Sequence, residues 1–131
     1  MTKSRHSKKS TWISKQNKSN KEWRKLLDET FSKVIRNRDK KCLKCSKVNF
    51  LHAHHIFRRN KMNTRWDLSN GITLCFHCHN WWHNNPVEAT HWIESKLGPT
   101  RLRELEDKSN IVTGSWSEEK FKQIYDNLIK L

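Results

Sequence analysis

The fold turns on one broken stretch of sequence: Cys42-Leu43-Lys44-Cys45, then Phe50-Leu51-His52-Ala53-His54-His55-Ile56-Phe57, then Asn70-Gly71-Ile72-Thr73-Leu74-Cys75-Phe76-His77-Cys78-His79-Asn80-Trp81-Trp82-His83. It holds all four cysteines and six of the eight histidines. Each Cys-x-x-Cys pair has the gap that lets a tight turn aim two thiolates at one ion. Two such turns complete a tetrahedral zinc site. Two disulfides or a redox Cys-x-x-Cys are the alternatives. Disulfides fit poorly with a lysine-rich chain that shows no export signal. A thioredoxin-like motif wants a βαβ setting, which the pattern lacks. The spacing therefore predicts structural zinc on Cys42, Cys45, Cys75 and Cys78, stitching the segment near 42 to the segment near 75. Such an ion can supply much of a small domain's folding free energy.

Between and after the knuckles, residues 50–57 read as a strand, 58–70 as a polar loop, 72–74 as a short second strand and 75–83 as a short helix. His79 and His83 lie four apart on that helix and so share a face. His54 and His55 are adjacent on a strand, so they point to opposite faces or straddle a twist. A hairpin backed by the helix can bring His54 toward His79 and His83. Three imidazoles that leave positions open for water and substrate make the catalytic pattern of metal ligation, not the closed structural one. His55 then sits beside the ion as a general base, because an imidazole near its ordinary pKa suits proton transfer at neutral pH. Packing alone does not call for so many imidazoles. His52 and His77 are expected to be bystanders, and His6 and His91 carry no assigned role. One of Trp81 and Trp82 is expected to pack under the hairpin.

Outward from this core the pattern is helical. Ser19 and Glu22 have capping-box spacing. Trp23, Leu26, Leu27, Phe31, Val34 and Ile35 then recur at helical intervals, which predicts an amphipathic helix over about 20–38. Asn85-Pro86-Val87-Glu88 is a helix start and Gly98-Pro99 a stop, giving a helix over about 86–97. Further helices are expected over about 100–108 and 116–129. The last opens near Ser115, whose spacing to Glu118 suits a capping box, and carries Phe121, Ile124, Tyr125, Leu128 and Ile129. The fold class is α+β and mostly helical: a two-stranded hairpin plus helix, stitched by a four-cysteine zinc site and flanked by helices. We expect a single domain over 19–131 with its core at about 42–84.

Composition narrows the function. The chain has 131 residues, 34% apolar and 31% charged, so its core must be thin. Seven Trp exceed what a surface needs, and several should anchor that core. Lys and Arg number 27 against 13 Asp and Glu, a net charge of +14 and a pI near 10.0. The excess is uneven: residues 1–41 hold fourteen Lys/Arg and four Asp/Glu, and the first twenty residues hold no acid at all. Residues 1–18 therefore read as a flexible basic arm that seeks phosphate. The balance argues against a basic partner and for a polyanion, above all nucleic acid. No apolar run approaches a membrane span and no signal-peptide core follows Met1, so neither a membrane partner nor export is expected.

Taken together, Cys42-x-x-Cys45, His54-His55-Ile56, Asn70, Cys75-x-x-Cys78-His79 and His83 resemble the HNH endonucleases, and in style their small stand-alone phage-type members. The resemblance covers roughly residues 42–83. It implies a ββα-metal active site and metal-dependent hydrolysis of DNA phosphodiester bonds, leaving 5′-phosphate and 3′-hydroxyl ends. His54 matches the family's metal ligand, and His55 the base that deprotonates water. Asn70 matches the residue that holds the base imidazole in its working orientation across the hairpin. His79 matches the ligand of the third motif, and His83 a further ligand of some branches. Mg2+ or Mn2+ is the expected ion for activity, with Ni2+ or Zn2+ suited to imidazole ligands. The expected partner is double-stranded DNA, its backbone gripped by Arg58, Arg59, Lys61 and Arg65 in the loop after the first strand. A monomer in the cytoplasm of a bacterial or phage-infected cell is the accompanying expectation. The competing readings are a non-catalytic zinc-ribbon module that binds nucleic acid and an RNA-binding zinc protein. Neither needs the histidine cluster or Asn70.

Overall fold

The helix α1, Asn20–Asp39, starts where the sequence signals it. The Ser19 hydroxyl accepts from the Glu22 backbone N–H while the Glu22 carboxylate accepts from the Ser19 N–H, the reciprocal bonds of a capping box. Trp23, Leu27, Phe31 and Ile35, each four residues from the last, form its buried stripe. The helix ends at Lys40, whose left-handed backbone (φ 64°) turns the chain toward the first cysteine knuckle. The structure is a computed structural model, and it describes residues 18–130. The basic arm expected over 1–18 thus lies almost wholly outside the described residues.

Strands β1 (Leu51–His55) and β2 (Gly71–Cys75) pair antiparallel, in a register that sets Leu51 against Cys75 and His55 against Gly71. The connecting segment makes tight turns and one 3-10 turn at Leu68–Asn70, capped by the Asp67 carboxylate accepting from the Ser69 N–H. Helix α2, Phe76–Asn84, follows β2 with no intervening loop. Helices α3 (Pro86–Leu97) and α4 (Pro99–Ser109) follow, each opening on a proline, and α5 (Glu118–Ile129) closes the described chain. The cap of α5 is Ser117, which accepts from Lys120 N, rather than a capping box from Ser115. β1 is also shorter than the sequence suggests, because the chain turns away at Ile56. Among the described residues no helix is long and apolar enough to cross a membrane.

The interior has two parts. Trp23, Leu27, Phe31, Ile35 and Trp66 meet Phe121 and Leu128, so α1 and α5 close on each other over the connecting segment. Cys42, Ile72, Leu74, Cys75, Cys78 and Ile93 make the second cluster around the knuckles, with Trp82 and Trp92 packed against it. The end of α1 is tied to the hairpin by side chains. Arg38 donates to the Leu68 and Gly71 carbonyls, and Asp39 accepts from the Thr73 N–H. Gly71 sits where α1 presses on β2: a Cβ there would lie 2.6 Å from Phe31 Cζ and 2.7 Å from Ile35 Cδ1. That approach, not backbone torsion, explains a glycine in the strand.

Candidate metal and catalytic site

The knuckles converge. Cys42, Cys45, Cys75 and Cys78 bring their sulfurs within 4.8 Å of one another, and none is in a disulfide. Burial pushes the Cys42 thiol up, but the backbone N–H groups of Cys75, Cys45 and Lys44 outweigh it and hold the thiol down to about 7. Cys78 is driven far the other way, by burial and then by the neighbouring sulfurs of Cys75, Cys42 and Cys45. Four sulfurs so placed cannot all ionise unless a cation sits among them, which is the chemistry of a four-thiolate zinc site. The cysteines are positioned to form one.

The histidines converge on the other side of α2. The ligating nitrogens of His54, His79 and His83 also lie within 4.8 Å of one another. Adjacent residues on a helix are about 100° apart, so Cys78 can face the knuckles while His79 and, one turn on, His83 face the hairpin. His54 is 4% exposed, and its Nε2 is buried with no hydrogen-bond partner among the described residues. Burial, then the charges His79 and His83 would carry, bring His54 down to about 3, so its ring is neutral. His79 is lowered too, by burial and then by His83 and His52. A neutral, buried imidazole that carries an unpartnered nitrogen and sits beside two further imidazoles fits a divalent ion. Trp82 packs on His54, with centroids 4.4 Å apart, and is the tryptophan under the hairpin.

His55, the next residue on β1, stands outside the trio but lines the same cavity. Its ring stacks on Phe31 at 4.9 Å, and its Nε2–H donates to the Arg65 carbonyl at 2.8 Å. Because a carbonyl can only accept, the proton sits on Nε2 and Nδ1 is the basic nitrogen. Burial lowers the His55 pKa, and the Arg65 carbonyl and the Asp28 charge push part of the way back. His54, His55, His79 and His83 line one cavity of about 470 Å3, walled on its far side by Asp28 and Phe31 of α1 and by Arg58 and Arg59.

Residues 41–85 match the HNH endonuclease family. No curated protein and no solved structure matches the chain. The HNH segment is about a third of the sequence. Helix α1, with Asp28 and Phe31, lies outside it, as do α3 to α5.

Within and around the HNH segment several residues sit differently from what the sequence predicts, and the reasons are physical. Asn70 is fully buried and does not bond His55. Its Oδ1 accepts from the Phe57 N–H at 2.8 Å, and its Nδ2 donates to the Phe57 and Thr64 carbonyls. It extends the hairpin pairing past Ile56 and pins both ends of the 57–64 turn, so it reaches the ring only through the neighbouring Arg65 carbonyl. Arg65 is only 16% exposed and its guanidinium is committed: Nε and Nη2 donate to the Asp28 carboxylate at 3.0 and 2.7 Å. Trp66 Nε1 donates to the same carboxylate at 2.9 Å. Arg59 is 63% exposed and only 3.6 Å from Asp28, while Arg58 makes no ion pair among the described residues. Lys61 donates to Asn110, away from the cavity. His52 lies 5.4 Å from His79, at the border of the cluster but outside the trio. Asp28 is a site residue that the sequence pattern does not single out. Its only signal there is an acid wedged between Leu27 and Phe31 at the edge of an apolar stripe.

Proposed function

We propose that the protein is a metal-dependent endonuclease that hydrolyses DNA phosphodiester bonds. The observation that carries this reading is the shared cavity: three imidazole nitrogens gathered within 4.8 Å, and a fourth ring, His55, lining the same space outside that trio. A binding module has no use for that division. His54, His79 and His83 would hold one divalent ion, Mg2+ or Mn2+ for activity, with Ni2+ or Zn2+ also suited to imidazole ligands; the ion supplies charge neutralisation at phosphorus and at the leaving oxygen. His55 Nδ1 takes the proton of the attacking water, while its Nε2–H stays on the Arg65 carbonyl and fixes the ring plane. Asn70 holds the turn that carries that carbonyl and is a positioning residue. Arg58 and Arg59, on the cavity wall, grip the phosphates flanking the scissile bond. Lys61 adds positive field from the loop, and the Arg65 guanidinium serves the loop's shape more than the DNA. The four-cysteine zinc is structural, the unit acts as a single domain, and the basic arm adds non-specific affinity that weakens with salt. The protein works as a monomer on double-stranded DNA in the cytoplasm of a bacterial or phage-infected cell.

The test is a supercoiled plasmid incubated with Mg2+, Mn2+ or Ni2+, wild type beside His55→Ala. Conversion to open-circle or linear DNA by wild type alone is the expected result. A wild type that shifts DNA on a gel yet leaves it intact with every ion would establish the binding module instead.

A further inference from the structure

On the surface just outside the histidine cluster, two phenylalanines present their rings to solvent. Phe50 is 78% exposed and Phe76 48% exposed. With Lys47, Leu51, His52 and His77 they line an open cavity of about 510 Å3, separate from the histidine cavity. Phe50 holds a left-handed backbone, φ 56°, a costly conformation for a bulky aromatic residue. Its carbonyl accepts from the Phe76 N–H at 3.0 Å, so the bond that starts α2 also locks the two ring-bearing residues together. The ring gains no burial from this arrangement. The His52 ring lies between the two cavities, 6.4 Å from Phe76 and 5.4 Å from His79. Lys47 makes no ion pair among the described residues and puts a positive charge on the cavity's rim.

We propose that Phe50 and Phe76 form a stacking site for an unpaired base of the nucleic-acid strand whose phosphate lies at the histidine cluster. The proposal rests on the nuclease reading above and names what the site prefers: DNA with a base out of the duplex, as at a bulge, a frayed end or a single-stranded junction. A nucleobase is flat, presents a π-face and carries an anionic backbone, and the patch offers aromatic faces beside a lysine on a protein of net charge +14. Stacking of this kind is tolerant of sequence, because every base has a π-face. A paired base has its faces already covered by its neighbours and gains nothing here.

The experiment uses the full chain carrying His55→Ala, so that DNA is bound but not cut, and two labelled oligonucleotide duplexes that differ by one bulged nucleotide. Fluorescence anisotropy reads Kd for each. The expected result is tighter binding of the bulged duplex. Adding Phe50→Ala should weaken binding to the bulged duplex about five-fold or more, the lower end for losing one aromatic–base stack, and leave the fully paired duplex unchanged. Phe50→Trp should restore the preference. Since Phe50 is exposed, thermal melts of these variants should coincide. An unchanged ratio of the two Kd values in Phe50→Ala overturns the proposal. So does a Phe50→Ala chain that merely loses self-association in sedimentation, which would make the patch an interface between copies. If plasmid cleavage depends on His55 while the ratio does not move, the stacking site falls and the nuclease stands. If wild type neither binds nor cuts DNA, both fall.

Discussion

Asp28 offers the sharpest test of how the site is held. Its carboxylate takes both arms of the Arg65 fork and the Trp66 indole N–H, and it lies 3.6 Å from Arg59. In Asp28→Ala the Arg65 guanidinium and the indole N–H, both mostly shielded from water, lose their acceptor together. Charge-assisted hydrogen bonds are worth about 1.5–3 kcal/mol each, and stranding a buried partner costs about 3–5 kcal/mol. Asp28 keeps about a fifth of its surface in water, 22%, so the low end applies: we expect a loss of about 2–3 kcal/mol, or roughly 5–10 °C in Tm for a chain of this length. The second consequence concerns chemistry. The Arg65 carbonyl is the partner of His55 Nε2, and a loop released from Asp28 lets that ring swing. Misplacement by about 1 Å can cost about 100-fold in rate, so plasmid cleavage measured well below Tm should fall by about 10- to 100-fold in kcat. Asp28→Glu, which can still reach the fork, should recover part of the rate. The pH dependence has a definite sign. The Arg65 and Trp66 hydrogen bonds outweigh burial and hold the Asp28 pKa below 3.8, so its stabilisation is complete above pH 3.8 and is lost as pH falls through the lowered value. The stability gap between wild type and Asp28→Asn should therefore shrink under strong acid. A cleavage rate that falls only in proportion to the folded fraction would refute the positioning role and leave Asp28 a purely structural residue.

Three further outcomes follow from particular contacts. Cys42→Ser should release zinc, read by metal analysis, and broaden the melting transition, whereas His55→Ala should keep both; an unchanged melt for Cys42→Ser would mean that no zinc holds the knuckles. Gly71→Ala forces a methyl against Phe31 and Ile35, which should cost about 1–3 kcal/mol as overpacking. Since Phe31 also stacks on His55, cleavage should drop further than the melt accounts for. Among the imidazoles, His54→Ala should abolish binding of Mn2+ or Ni2+ by titration calorimetry, while His83→Ala, at the exposed end of α2, should weaken it by about 10-fold; the reverse order would contradict a trio centred on the buried ring.

The parts of this molecule that repeat a local rule are legible in the sequence. The capping box at Ser19, the stride of four from Trp23 to Ile35 and the Asn85-Pro86 start each act over a few residues, and the helices appear where those rules put them. The paired cysteines and the strand-plus-helix spacing of His54, His79 and His83 are local as well. The turns from Ile56 to Asp67 are not legible, because their shape comes from distant partners: Asp28 on α1 for Arg65 and Trp66, Lys108 on α4 for Asp67, and the buried amide of Asn70. A run of arginines looks the same in sequence whether it faces solvent or a carboxylate 37 positions away. Family likeness points Asn70 at the base itself, whereas its amide is consumed by backbone partners on either side of the turn, one step removed from the ring.

The two candidate metal positions are mechanically linked by α2, so a zinc bound at the cysteines would have a functional consequence. Cys75 caps α2, Cys78 lies in its first turn, and His79 and His83 follow on its next faces. No side chain caps that N-terminus, where the Phe76 N–H is held by the Phe50 carbonyl, so an ion bound by Cys75 and Cys78 would add the hold that fixes the helix's rotation about its axis. A rotation by even a fraction of the roughly 100° between neighbouring residues would carry His79 away from His54. Ions at the cysteines and at the histidines should therefore bind in order. Removing zinc with a strong chelator should abolish binding of the second ion, whereas His54→Ala should leave zinc affinity intact. Loss of zinc that spared Mn2+ binding would mean that the hairpin and its packing on α1, not the knuckles, set the orientation of α2.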